Sequence, residues 1–158
     1  MQFSTGCEYA IHGLLFMATR QEDEIILVSD IAKAQNLPES YLAKVFQLLA
    51  KAGFLKSFRG ARGGYALAMP PDKITLRDVT LAIEGSTPLF KPLSNKRNCD
   101  FAADCLIRET FVRAEKLMFD ELEKVTIQNM VDKACNSPER LEWLNLANCK
   151  ETPSINKE

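Results

Sequence analysis

Near the amino terminus the chain reads STGCEYAIHGLLF, a stretch that holds the single histidine among 158 residues. His12 follows Glu8 by four positions, an offset that stacks two side chains on one face of a helix. A carboxylate beside an imidazole can ligate a metal or exchange protons. Thr5 to Glu8 also fits the T-x-x-E capping box, in which the glutamate reaches back to the cap amide. A lone histidine beside an apolar face can equally be a hydrogen-bonded structural residue. The residues alone leave these readings open.

The five cysteines are Cys7, Cys99, Cys105, Cys135 and Cys149. An odd, unevenly spaced set without an export signal favours metal ligation or redox chemistry over a disulfide framework. The stretch CDFAADC sets Cys99 and Cys105 six positions apart, wider than a zinc knuckle, so in isolation the pair reads as two free thiols. Cys7 adjoins Glu8 and competes with it as a ligand, although it points about 100° away around a helix. Cys135 and Cys149 are expected to be bystanders. Catalysis by Glu8, His12 or Cys7 would need an oxyanion element or a cofactor loop, and neither accompanies them; no enzyme is expected.

Hydrophobic residues make up 46% and charged residues 26% of the chain, ordinary for one globular domain with a real core. The formal net charge of -1 predicts no polyanion partner, but its distribution does. Ser40 to Pro71 holds Lys44, Lys51, Lys56, Arg59 and Arg62 and no acid, while 15 basic and 21 acidic residues fill the remainder. A cationic island on an acidic body is a local anion-binding surface. The start lacks the basic and apolar regions of a secretion signal, and no apolar run approaches the roughly 18 residues of a membrane span. A cytoplasmic protein without membrane contact is expected.

The elements that must position these residues follow from periodicity and turn chemistry. A first helix is expected from Ser4 or Thr5 to about Arg20, with Ile11, Leu14, Leu15 and Ala18 entering the core. Ser29 is a plausible N-cap for a short helix with Ile31 and Ala32. NLPES is a turn, and Pro38 suits the first turn of a second helix carrying Leu42, Val45, Phe46, Leu48 and Leu49. FLKSFRGARGGYALAMPP then reads as a β-hairpin tipped by RGARGG, with Tyr65, Leu67 and Met69 on one side. Thr75 caps a helix over TLRDVTLAIEG. Ile107, Phe111, Ala114, Met118, Leu122 and Val125 form an apolar stripe on a helix of about 20 residues, and such a helix usually needs a partner. The fold class is therefore mainly α with a small β-hairpin wing, a winged helix-turn-helix plus a long dimerisation helix. Residues 1–85 are expected as the DNA-binding domain, 86–102 as a loop, 103–136 as the long helix and a following short one, and 137–158 as a flexible tail.

The second helix of the pair is expected to expose Glu39, Ser40, Tyr41, Lys44, Gln47 and Lys51. A recognition helix sets its early residues against base edges, leaving later lysines near phosphates; Gln47 can pair with adenine. Ser29, Lys56, Arg59 and Arg62 are expected to support the contact, with Gly63 and Gly64 letting main-chain amides approach phosphate. The alternative is that these basic residues form a merely solvated face.

The run from LVSDIAKAQNLPES through RGARGGYALA to ITLRDVTLAIEG resembles the winged-helix iron–sulfur regulators of the IscR, NsrR and RsrR type, over residues 1 to about 135. The resemblance implies a homodimer on a palindromic double-stranded DNA operator, with the long helix crossing its counterpart. It implies a [2Fe–2S] cluster at the 86–102 loop and the start of the long helix, where three cysteines are usual. This chain matches two of them, Cys99 and Cys105; Leu93 stands near the place of the first, and Arg108 where IscR has a histidine. Two thiolates leave such a cluster short of ligands, since each iron takes two. The likeness to RsrR, whose cluster is held by a Glu, a His and two Cys, implies Glu8 and His12 of one subunit with Cys99 and Cys105 of the other. Ala43 stands where IscR-like members read bases with an acidic residue, so the operator sequence does not carry over. A cluster-free regulator of the same fold, answering through these thiols or a partner protein, is the alternative.

Overall fold

A computed structural model describes residues 3–60, 63–88, 105–137 and 142–144. The expected wing-tip Arg62, the thiols Cys99 and Cys149, and most of the 86–102 loop lie outside the described residues.

Helix α1 (Thr5–Ala18) is the centre of the fold. Leu14 and Leu15 are buried as expected and Ile11 and Ala18 are half-buried, but Cys7, Ala10, Phe16 and Met17 are buried as well. This helix is covered on most sides rather than along one stripe. The pair α2 (Val28–Gln35) and α3 (Glu39–Lys51) forms the helix-turn-helix. Asn36 ends α2 in the left-handed region at φ 54°, which a short polar side chain tolerates. Ser29, expected as the cap of α2, lies in its first turn because the helix starts two residues earlier, after Leu27. Pro38 is likewise the residue before α3 rather than part of it.

Helices α1 and α3 approach closely at Gly13, where a Cβ would lie 2.6 Å from the Phe46 ring. Phe46 is fully buried and meets Tyr65 edge-on at 5.3 Å, so the ring has nowhere to withdraw. The wing is an antiparallel hairpin of β1 (Leu55–Phe58) and β2 (Gly64–Leu67), pairing Leu55 with Leu67 and Phe58 with Gly64. Ile26 joins its edge, donating to the Tyr65 carbonyl at 2.8 Å and accepting from the Tyr65 amide at 2.9 Å. Gly64 makes this possible, since a Cβ there would lie 2.6 Å from the Ile26 carbonyl oxygen. Tyr65, Leu67 and Met69 pack on the core as expected.

Helix α4 (Leu76–Glu84) starts with a capping box of Thr75 and Asp78, and α6 (Ile127–Cys135) with one of Thr126 and Asn129. The two starts are tied by main-chain bonds from Leu76 to Val125 and from Ile127 to Ile74, both 2.9 Å. Helix α5 (Leu106–Glu123) buries none of its residues: Leu106 is 74%, Ile107 61% and Leu117 62% exposed. Its last turns are held by Arg77, which donates to Glu123 at 2.8 Å and lies over the Phe119 ring.

The expected flexible tail does not hold for Glu142–Leu144, which form a 3-10 turn with Leu144 fully buried. Its anchor is Arg20, whose guanidinium donates to the Leu144 carbonyl at 3.1 Å. Cys135, expected as a bystander thiol, is disulfide-bonded.

Cys7 turns into the α1–α4 interface, its sulfur 3.7 Å from the Thr80 hydroxyl. That hydroxyl also donates to the Leu76 carbonyl at 2.7 Å. Burial pushes the Cys7 thiol above its ordinary value of 9.0; the Thr80 bond lowers it in part and the Glu84 charge raises it again.

Gly13→Ala should destabilise the protein by about 1–3 kcal/mol, read as a lower denaturant midpoint, because Phe46 must leave its place. The folded chain holds the Cys7 proton longer than the unfolded one. Stability is therefore intact below about pH 9 and declines as pH rises through the raised value. Between about pH 8 and pH 10 the wild-type melting temperature should fall further than that of Cys7→Ala.

Candidate metal centre and nucleic-acid interface

The amino terminus of α1 is capped from a distance. Ser4 donates from its amide at 2.8 Å and its hydroxyl at 2.7 Å to Glu84 at the end of α4. Glu84 thereby places its charge at the positive end of α1. The T-x-x-E capping box is not formed: Ser4 is the cap, Thr5 is already helical, and Glu8 takes no part in it. Glu8 is exposed and makes no hydrogen bond or ion pair among the described residues.

One turn further on, His12 is half-buried and lies against Trp143, their ring centroids 5.5 Å apart and tilted by 50°. Trp143 also stacks on Phe16 at 6.4 Å, and the Arg20 guanidinium sits 4.2 Å from the Phe16 ring centre. Glu8, His12, Phe16 and Arg20 thus make a stripe at spacing four, its upper half open and its lower half covered by the 142–144 turn. This cover escaped sequence reasoning, although the spacing of Phe16 and Arg20 after His12 was the available signal.

Cys105 precedes α5 as its cap residue, half-buried and with a free thiol. Within one chain no three such donors gather among the described residues; Glu8 and His12 stand one turn apart on α1, and Cys105 does not join them. The expected set takes its thiols from a second subunit. Its chemistry fits iron: an uncommitted carboxylate, an imidazole with an open side and a free thiol are all iron donors. Cys7 does not fit, being buried, engaged with Thr80 and held protonated, whereas the thiolate is the ligand.

On the other side of α3 the structure exposes Glu39, Ser40, Tyr41, Lys44, Gln47 and Lys51, with Leu48 among them. Tyr41 is only 39% exposed, because it meets Tyr9 of α1 edge-on at 5.6 Å. Its hydroxyl fills the space beside Gly6, 3.1 Å from where a Cβ would stand. Lys56 and Arg59 are exposed on the wing, and Ser29 is half-buried. At the wing, the Gly63 amide donates to the Gly60 carbonyl at 2.9 Å and closes the turn. Among the described residues no helix is long and apolar enough to cross a membrane.

Comparison with known proteins agrees with this architecture. Residues 3–133 match the family model described as Rrf2, iron-dependent transcriptional regulator. Protein rrf2 of Nitratidesulfovibrio vulgaris is 30% identical over 138 residues, 87% of this chain and 92% of that protein. Among solved structures, CymR, the global cysteine regulator of B. subtilis, superposes with a TM-score of 0.67 at 27% identity, covering 84% of this chain and 98% of CymR. T. potens IscR does so with a TM-score of 0.65 at 28% identity, covering 85% and 88%. The helix-turn-helix with its paired wing, the long uncovered helix and the match over residues 3–133 agree: the chain belongs to the Rrf2 family of winged-helix transcription regulators.

Proposed function

We propose that this regulator is a homodimer whose affinity for a palindromic operator is set by a [2Fe–2S] cluster, held by Glu8 and His12 of one subunit and Cys99 and Cys105 of the other. Members of the family are DNA-binding regulators that act as dimers, and they are not enzymes. One observation carries the ligand set. Glu8, freed from capping by the Ser4–Glu84 bonds, stands uncommitted one turn from the only histidine. When bound, such a cluster supplies a one-electron couple, and an imidazole in place of a thiolate removes negative charge and raises its potential.

The chain's own residues do the rest. Helix α1 orients the carboxylate and imidazole, and α5 presents Cys105 at its head beside the apolar residues Leu106 and Ile107. Those residues suit the matching helix of a second copy. Gly13 against Phe46, and Tyr9 against Tyr41, tie α1 to the recognition helix, so a displacement of α1 is carried to α3. Two recognition helices must match half-sites about 34 Å apart, which makes a small shift of α3 costly. Lys44, Lys51, Lys56 and Arg59 supply phosphate contacts, while Gln47 and the early residues of α3 face base edges.

A second reading has an observation of its own. Cys135 is disulfide-bonded, and the chain resembles CymR, named a cysteine regulator. A cluster-free regulator answering through Cys99 and Cys105, or through a partner protein, would share the fold.

Anaerobic purification separates the two. A coloured protein with matching iron and acid-labile sulfide, whose visible spectrum changes in His12→Ala, supports the cluster; colourless protein with free thiols supports the second reading. Operator titration at controlled potential should give different affinities for oxidised, reduced and cluster-free protein. Equal affinity in all three refutes control by the cluster and leaves DNA binding intact. Ile107→Glu should convert the dimer to monomer by sedimentation and abolish binding to the two-half-site operator; a dimer unchanged by that charge places the subunit contact elsewhere.

A further inference from the structure

We infer that Trp143 is a positioning residue for His12, so that the carboxy-terminal turn sets the geometry of the metal centre. The inference rests on the reading of His12 as a ligand and goes beyond it, because the turn lies outside the part of the chain that the family model covers.

The imidazole of His12 has no hydrogen bond among the described residues. A ligating imidazole needs its orientation fixed, usually by a bond to its second ring nitrogen, and loss of that outer support costs metal affinity. Packing does the work here. The indole of Trp143 meets the imidazole at 5.5 Å, while Glu8, one helical turn back, is exposed. The indole itself cannot drift. It lies within 7° of parallel to the Phe16 ring, and Arg20 covers that ring while its guanidinium grips the Leu144 carbonyl. Leu144, fully buried, pins the turn from the next residue. His12, Phe16 and Arg20 therefore act as a track of side chains four apart, on which Trp143 and Leu144 are seated. Swinging the imidazole into another rotamer would forfeit its contact with the seated indole, and with it the packing energy of an aromatic pair.

The test uses the anaerobically loaded dimer in wild-type form and as Trp143→Ala, Trp143→Phe and His12→Ala. Its readouts are the visible circular dichroism of the cluster, its midpoint potential and the rate of cluster loss to a chelator. Trp143→Ala should alter the dichroism and potential and lose the cluster about tenfold faster. Trp143→Phe, which keeps a ring against His12, should restore most of the wild-type behaviour. Operator affinity of the cluster-free protein should be the same in both Trp143 variants as in wild type. Three results overturn the inference. Should Trp143→Ala match wild type while His12→Ala does not, the ligand stands and the positioning role falls. Should His12→Ala also match wild type, the ligand reading falls too. Should both Trp143 variants melt early and bind the operator weakly without the cluster, Trp143 is a structural residue only.

Discussion

The contact between Gly13 and Phe46 is the constraint around which the rest of the molecule is arranged. A helix that carries candidate metal ligands and a helix that carries the DNA-reading surface are pressed together until no Cβ fits between them. Phe46 closes the far side by packing on Tyr65 of the wing, and the wing is fastened to Ile26 where Gly64 lets the backbones touch. Interiors at this density do not absorb a displacement by compressing; they pass it on. Tyr9 and Tyr41 repeat the connection one turn nearer the amino terminus, beside Glu8. The candidate metal-binding and DNA-facing surfaces are thus two faces of one packed unit, with no linker between α1 and α3.

Helix α5 obeys the opposite rule. Leu106, Ile107, Phe111, Val112 and Leu117 are left in the open, while Arg77 with Glu123 and Phe119 holds its far end to the body. An exposed apolar surface of this kind marks a place of association. Because Cys105 opens that same helix, any partner that covers α5 also fixes where its thiol stands. A site completed across a subunit boundary would make metal binding and dimer geometry one equilibrium, since each stabilises the arrangement the other needs.

Local chemistry was readable in the chain, and distant chemistry was not. The caps at Thr75, the turn at Asn36 and Pro38, the hairpin and the exposed face of α3 all follow from residues within a few positions of one another. The capping box that Thr5 and Glu8 offered as an alternative does not form, and Ser4 finds its acceptor in Glu84, 80 residues away, a partner no local pattern announces. The cover of His12 was missed for the same reason: a polar carboxy-terminal composition hides one Trp-Leu pair that has a seat waiting on α1.

The freedom of Glu8 follows from these distant contacts. Glu84 already supplies negative charge and hydrogen-bond acceptors to the start of α1, so the helix does not need Glu8 as a cap. Glu8 sits in the first turn all the same, where the helix dipole favours a carboxylate and water solvates it. Burying that carboxylate without a partner would be unfavourable, and pairing it with a lysine would close it to a metal. An exposed, dipole-supported carboxylate beside an imidazole that aromatic packing holds still avoids both outcomes. The protein keeps two hard-to-store donors in place because neighbours further along the chain have taken over the structural duties those donors would otherwise perform.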